Sequence, residues 1–146
     1  MTHAVHDANV LASGMIGLLN RDSTPGEIFR LTLAGSIVNV TSEPILKEIE
    51  RPLGKEYFRR AILDTDRDSL MAALRRRSLV VPITVMVRGE ASHPEDDLIL
   101  ATAVSGDADF LVTGDKQLLA LGTYQSVRIV SPSDFLDVLD RQKLGG

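Results

Sequence analysis

Four acidic residues sit where a chain of this kind could do chemistry. Asp7 follows the short apolar run Ala4-Val5-His6, and Asp115 follows the run 109–112 after Thr113-Gly114. Glu48 lies in a helical pattern after a second apolar run, and Asp96 in the first turn of a helix that precedes the run at 109–112. No thiol and no Gly-rich phosphate loop accompanies them. Carboxylates brought together repel one another unless a cation joins them. Hard oxygen donors without His or Cys suit Mg²⁺ or Mn²⁺. Such ions held by a few carboxylates usually act on phosphate, so metal-assisted phosphodiester cleavage is the chemistry these residues would support.

Each acid also has a plainer role. Asp96 and Asp97 stand where acids offset a helix dipole. Asp115 suits the N-cap of the helix that opens at Lys116. Glu48 suits an exposed helix position. Asp7 is harder to explain this way, because Asp at the end of an apolar strand is disfavoured.

The elements that must position these acids alternate between strand and helix. Strands are predicted at 4–6, 37–40, 79–83, 109–112 and 127–130. Thr24-Pro25-Gly26-Glu27 predicts a helix start with Thr24 as cap, Pro25 at N1 and Glu27 closing a capping box. Ser42-Glu43-Pro44 opens the next helix, and two more cover 55–63 and 65–77. A loop is expected at 84–92, helices at 94–104 and 115–121, and a last helix after Ser131-Pro132-Ser133-Asp134. The chain end, about 142–146, is expected to fray. Strands separated by helices predict a single α/β domain, a parallel sheet with helices on both faces. Ligands of such sheets bind beyond the carboxyl ends of the strands, which is where the acids fall.

The motifs around the acids resemble the PIN-domain family, in particular its bacterial VapC-like branch, the toxins of toxin–antitoxin pairs. The resemblance spans nearly the whole chain. Asp7-Ala8-Asn9-Val10-Leu11 is similar to the family's opening Asp-Thr-Asn-Val-Leu, with Ala8 in place of Thr. The stretch from Ser42 to Ile49 resembles the second acidic helix, with Glu48 as the family's glutamate. His93-Pro94-Glu95-Asp96-Asp97 resembles the Asp-Pro-x-Asp-Asn element, with His93 and Asp97 as departures and Asp96 as the third acid. Asp109-Phe110-Leu111-Val112-Thr113-Gly114-Asp115-Lys116 is the most specific match, with Asp115 as the fourth acid and Gln117 departing from a frequent Asp.

The resemblance implies an α/β/α sandwich and a divalent-metal ribonuclease. Water would attack the phosphorus in line and leave a 5′-phosphate and a 3′-hydroxyl. It makes Asp7, Glu48, Asp96 and Asp115 the catalytic metal ligands, for Mg²⁺ or Mn²⁺. Asn9, Thr113 and Asp97 become supporting residues: Asn9 beside Asp7 or a phosphate oxygen, Thr113 orienting the acids through its hydroxyl, Asp97 as an alternative to Asp96. RNA as substrate, a homodimer and a cognate antitoxin chain are the implied partners.

Composition limits the alternatives. The chain has 146 residues, 44% hydrophobic and 25% charged, with net charge −4 and no Cys. Disulfides, thiolate nucleophiles and Cys-ligated zinc are excluded. No apolar run approaches the roughly 18 residues that cross a bilayer, and no signal-like N-terminus is seen, so a cytoplasmic protein is expected. Ten of the 16 Lys/Arg lie between Lys47 and Arg88, including Arg75-Arg76-Arg77. These suit solvated helix faces or contacts to RNA phosphates. His3, His6 and His93 share no metal-ligand spacing. A receiver-type phosphotransfer domain would want a late Lys after a strand, and none lies between Gln117 and Gln142. A PIN-like module that binds or assembles without cleaving is the other reading.

Overall fold

Apolar runs too short for helices become strands: β1 (His3–His6), β2 (Val38–Thr41), β3 (Ser78–Val80), β4 (Phe110–Val112), β5 (Thr123–Tyr124) and β6 (Val127–Val130). The computed structural model describes residues 1–91 and 93–145. The strands form one sheet in the order β3-β2-β1-β4-β6-β5, parallel except for the β5–β6 pair. The helices are α1 (Ala8–Gly17), α2 (Thr24–Leu33), α3 (Glu43–Glu48), α4 (Glu50–Leu53), α5 (Glu56–Ala61), α6 (Asp64–Arg77), α7 (Pro94–Ser105), α8 (Lys116–Leu121) and α9 (Pro132–Gly145). No helix among the described residues is long and apolar enough to cross a membrane.

Strand alternation divides the core in two. Val5, Val40, Leu111 and Ile129 face one layer, with Leu46, Ile49, Ile99 and Leu100 from the helices. Ala4, Phe110, Val112 and Val130 face the other, with Ile28, Phe135 and Leu139. Side chains that alternate along a strand and are buried on both faces need helices on both sides, which gives the α/β/α arrangement.

The connections fix where a site can form. From β1 the chain moves outward to β2 and β3, then returns across the sheet to β4 on the other side of β1. The order therefore reverses between β1 and β4, whose register aligns His6 with Val112. A crevice opens at the carboxyl ends of two parallel strands where their connections diverge.

Some local details differ from the sequence expectation. The cap of α2 is Ser23, whose Oγ accepts from Gly26 N at 3.0 Å, so Thr24 is the first helical residue and Glu27 lies beyond the capping-box position. Glu27 instead pairs with Arg30 at 2.8 Å. The third strand stops at Val80, ahead of Pro82, which cannot donate to a ladder. The short antiparallel β5 was not expected. Helix α9 continues to Gly145, and Thr2 Oγ1 donates to Gln142 Oε1 at 3.0 Å, which ties that turn to the N-terminus. Gly146 and Ser92 lie outside the described residues.

Candidate active site

The two aspartates after β1 and β4 are both helix N-caps. Asp7 Oδ1 accepts from Val10 N at 2.8 Å, capping α1. Asp115 Oδ1 accepts from Gln117 N at 2.8 Å and Leu118 N at 3.3 Å, capping α8. The plain capping role and a site role are therefore compatible: the cap uses one carboxylate oxygen, and the positive helix end favours the charge. Thr113 joins the two. Its buried hydroxyl donates to Asp7 Oδ2 and accepts from Asp115 N at 3.0 Å. Ala8, where a hydroxyl residue would have sat beside Asp7, is buried, and the hydroxyl on Asp7 comes from Thr113 instead.

Asp7, Glu48, Asp96 and Asp115 line one cavity of about 470 Å³, together with Asn9, Ser13, Glu95 and Arg51. Asn9 is exposed at its rim. Glu95 and Arg51 were missed in the sequence. Glu95 precedes Asp96 in the first turn of α7, and Arg51 stands three residues after Glu48, a helical spacing that could have drawn attention to it.

Asp97 goes elsewhere. Its Oδ2 accepts from Gly89 N and its Oδ1 from Ala91 N, both at 3.0 Å. Adjacent residues on a helix point about 100° apart. Asp96 therefore enters the cavity while Asp97 holds the loop before α7. The arginines at the end of α6 are also outside the cavity, and Arg75 pairs with Glu43 at 2.6 Å.

The carboxylates sense one another. Burial pushes the Asp7 carboxyl above its ordinary range; hydrogen bonds from Thr113 and from the backbone of Val10 and Gly114 oppose this, and the Asp115 charge adds to it. Asp96 is raised by partial burial, then by the charge of Asp115, with Asp7 and Glu95 adding and His93 opposing. Glu48 Oε1 lies 2.5 Å from Arg51 Nη2, yet it is buried and has no hydrogen bond of good geometry. The contact is best read as a charge pair.

The profile of the PIN domain matches residues 3–117, a segment that holds all four acids. The chain belongs to the PIN-domain family. The fold is similar to that of a chain in a crystal structure of VapBC2 from Rickettsia felis bound to a DNA fragment from their promoter. The similarity has TM-score 0.58 and 13% identity, over 89% of this chain and 98% of that chain. Comparison with curated proteins finds no similar sequence. PIN domains are in general nucleases and typically use divalent metal ions.

The residues of this PIN domain suit such an ion in chemistry. The donors are all hard carboxylate oxygens: Asp7, Asp96 and Asp115 repel one another, and Glu48, paired with Arg51, lines the same cavity. Among the described residues no group of three or more His, Asp or Glu side chains is placed so that it could hold a metal ion. Repulsion between the acids and the hold of Arg51 on Glu48 both act to keep them apart.

Proposed function

We propose that this PIN domain is a divalent-metal-dependent endoribonuclease, the toxin of a toxin–antitoxin pair. The observation that carries the reading is the Asp7–Thr113–Asp115 bridge at the reversal between β1 and β4, with Asp96 and Glu48 in the same cavity. Asp7, Glu48, Asp96 and Asp115 would hold Mg²⁺ or Mn²⁺, directly or through water. When bound, the ion lowers the pKa of water and offsets phosphate charge. Thr113 fixes the orientation of Asp7, and the caps on α1 and α8 hold both aspartates against rotation. Asn9, at the rim, can contact a phosphate oxygen. The products would carry a 5′-phosphate and a 3′-hydroxyl.

A basic segment of an antitoxin would complement a wall of five carboxylates, and the likeness to VapBC2 supports a partner chain. We also propose a homodimer, which sedimentation at micromolar concentration tests; a monomer there counts against it. The site itself is tested by thermal unfolding with added Mn²⁺. A ligand that binds only the folded state raises stability by about 2.7 kcal/mol at 100 times its Kd. The wild type should gain in melting temperature, and Asp96→Asn much less. Equal gains would place the ion elsewhere. A wild type that binds Mn²⁺ yet cleaves no RNA would favour the non-catalytic module.

A further inference from the structure

Arg51 is the sole base that lines the acidic cavity among the described residues, against Asp7, Glu48, Glu95, Asp96 and Asp115. A polyanion entering that cavity meets five carboxylates, among neutral residues such as Asn9, Ser13 and Pro25, and this one guanidinium. Its placement is firm at the backbone and loose at the tip. Pro52 and Leu53, the next two residues of α4, are buried, while the Arg51 side chain is 68% exposed. Its Nη2 lies 2.5 Å from Glu48 Oε1, an oxygen without a well-formed hydrogen bond. An ion pair this exposed holds weakly. A guanidinium presents several donors in a planar fork that matches phosphate as well as carboxylate.

We propose that Arg51 is a phosphate-binding residue of this site, parked on Glu48 until cation and RNA enter. The inference rests on the ribonuclease reading above. Glu48 cannot serve the guanidinium and a divalent cation equally well. A cation on Glu48 would weaken its hold on Arg51 and leave that guanidinium free to turn to a phosphate of the bound strand. The same exchange makes Arg51 a competitor of the cation when RNA is absent.

Two effects of opposite sign follow for Arg51→Ala in the full chain. Mn²⁺ affinity without RNA, read by calorimetry, should rise a few-fold, since a competing charge is gone. Affinity for a labelled single-stranded RNA pool, read by anisotropy in Ca²⁺ with intact RNA recovered, should fall about tenfold, the loss of one charge-assisted contact. The slope of log affinity against log salt should become shallower by about 0.7, as for one phosphate contact on a single strand. Arg51→Lys should keep the salt slope and recover part of the affinity. Arg51→Gln replaces Arg51→Ala if the latter fails to fold by circular dichroism. RNA affinity and salt slope unchanged, or Mn²⁺ and RNA affinity lost together, would overturn the proposal while leaving the ribonuclease reading in place. A wild type that neither binds Mn²⁺ nor cleaves RNA would overturn that reading, and this proposal with it.

Discussion

His6 is completely buried one residue before Asp7, and its imidazole should make the fold sensitive to mild acid. Its Nδ1 lies 2.8 Å from Asn39 Oδ1, and Asn39 Nδ2 donates to Ser78 Oγ at 2.8 Å. With that amide orientation Nδ1 carries the proton and Nε2 is the bare acceptor, buried without a partner and edge-on to Phe135. A second proton would place an unpaired donor and a charge in the core. Burial accordingly lowers the pKa from 6.5 to about 4, against a smaller opposing effect of Asn39. The unfolded chain then binds more protons than the folded one between those values, so stability falls as pH drops through 6.5 and levels off below about 4. From pH 7 to pH 5 the loss is about 2 kcal/mol, and the full loss approaches about 3 kcal/mol. Asp7 and Asp96 act with the opposite sign, since raised carboxyls gain stability as pH falls through their range. His6→Asn removes the titration but keeps a donor at the Nδ1 position, and any cavity it leaves costs the same at every pH. Urea unfolding at pH 7, 6 and 5 without divalent ions should show the wild type losing about 2 kcal/mol more than His6→Asn over that range. Parallel pH profiles for the two proteins would refute the assignment of a buried neutral His6.

Thr113→Val should cost about 1.5–3 kcal/mol in urea unfolding, because it takes a hydrogen bond from a buried carboxylate, and Thr113→Ser should restore most of it; stability equal to wild type would mean the bridge carries no weight. Asp7→Asn should raise the melting temperature in ion-free buffer, since Asn still caps α1 while the buried charge is gone; a clear fall would contradict the direction of the Asp7 shift. Asp97→Ala should speed amide exchange at Gly89 and Ala91 and leave Mn²⁺ affinity unchanged, whereas a large loss of affinity would return Asp97 to the site.

The fold and the two aspartates after β1 and β4 were legible because two local signals agree there. A short apolar run followed by Asp and then a helical pattern marks both a strand end and an N-cap, and strand–helix alternation places both at one sheet edge. Glu48 and Asp96 were legible as candidates from their place between the strands, but a helical acid looks the same whether it faces solvent or a cavity, and the family resemblance gave them their weight. Asp97 was open between an alternative to Asp96 and a dipole-compensating acid for a related reason: two neighbouring acids in a first turn share a pattern, and its bonds to Gly89 N and Ala91 N follow from the packing of α7. The cap of α2 slipped by one residue because Ser23 and Thr24 offer equivalent hydroxyls. Glu95 and Arg51 were missed because neither is an unusual residue for its helix; their proximity to the other acids arises from tertiary packing.

Cleavage of a mixed RNA pool in Mn²⁺ by the wild type and by Asp115→Asn, with circular dichroism as the fold control, tests the central claim most directly. Asn keeps the cap on α8 and removes the charge, so the variant should fold as the wild type does. The wild type should leave 5′-phosphate and 3′-hydroxyl ends, and Asp115→Asn should leave the RNA intact. Undiminished cleavage by a well-folded Asp115→Asn protein would contradict the assignment of this cavity as the active site.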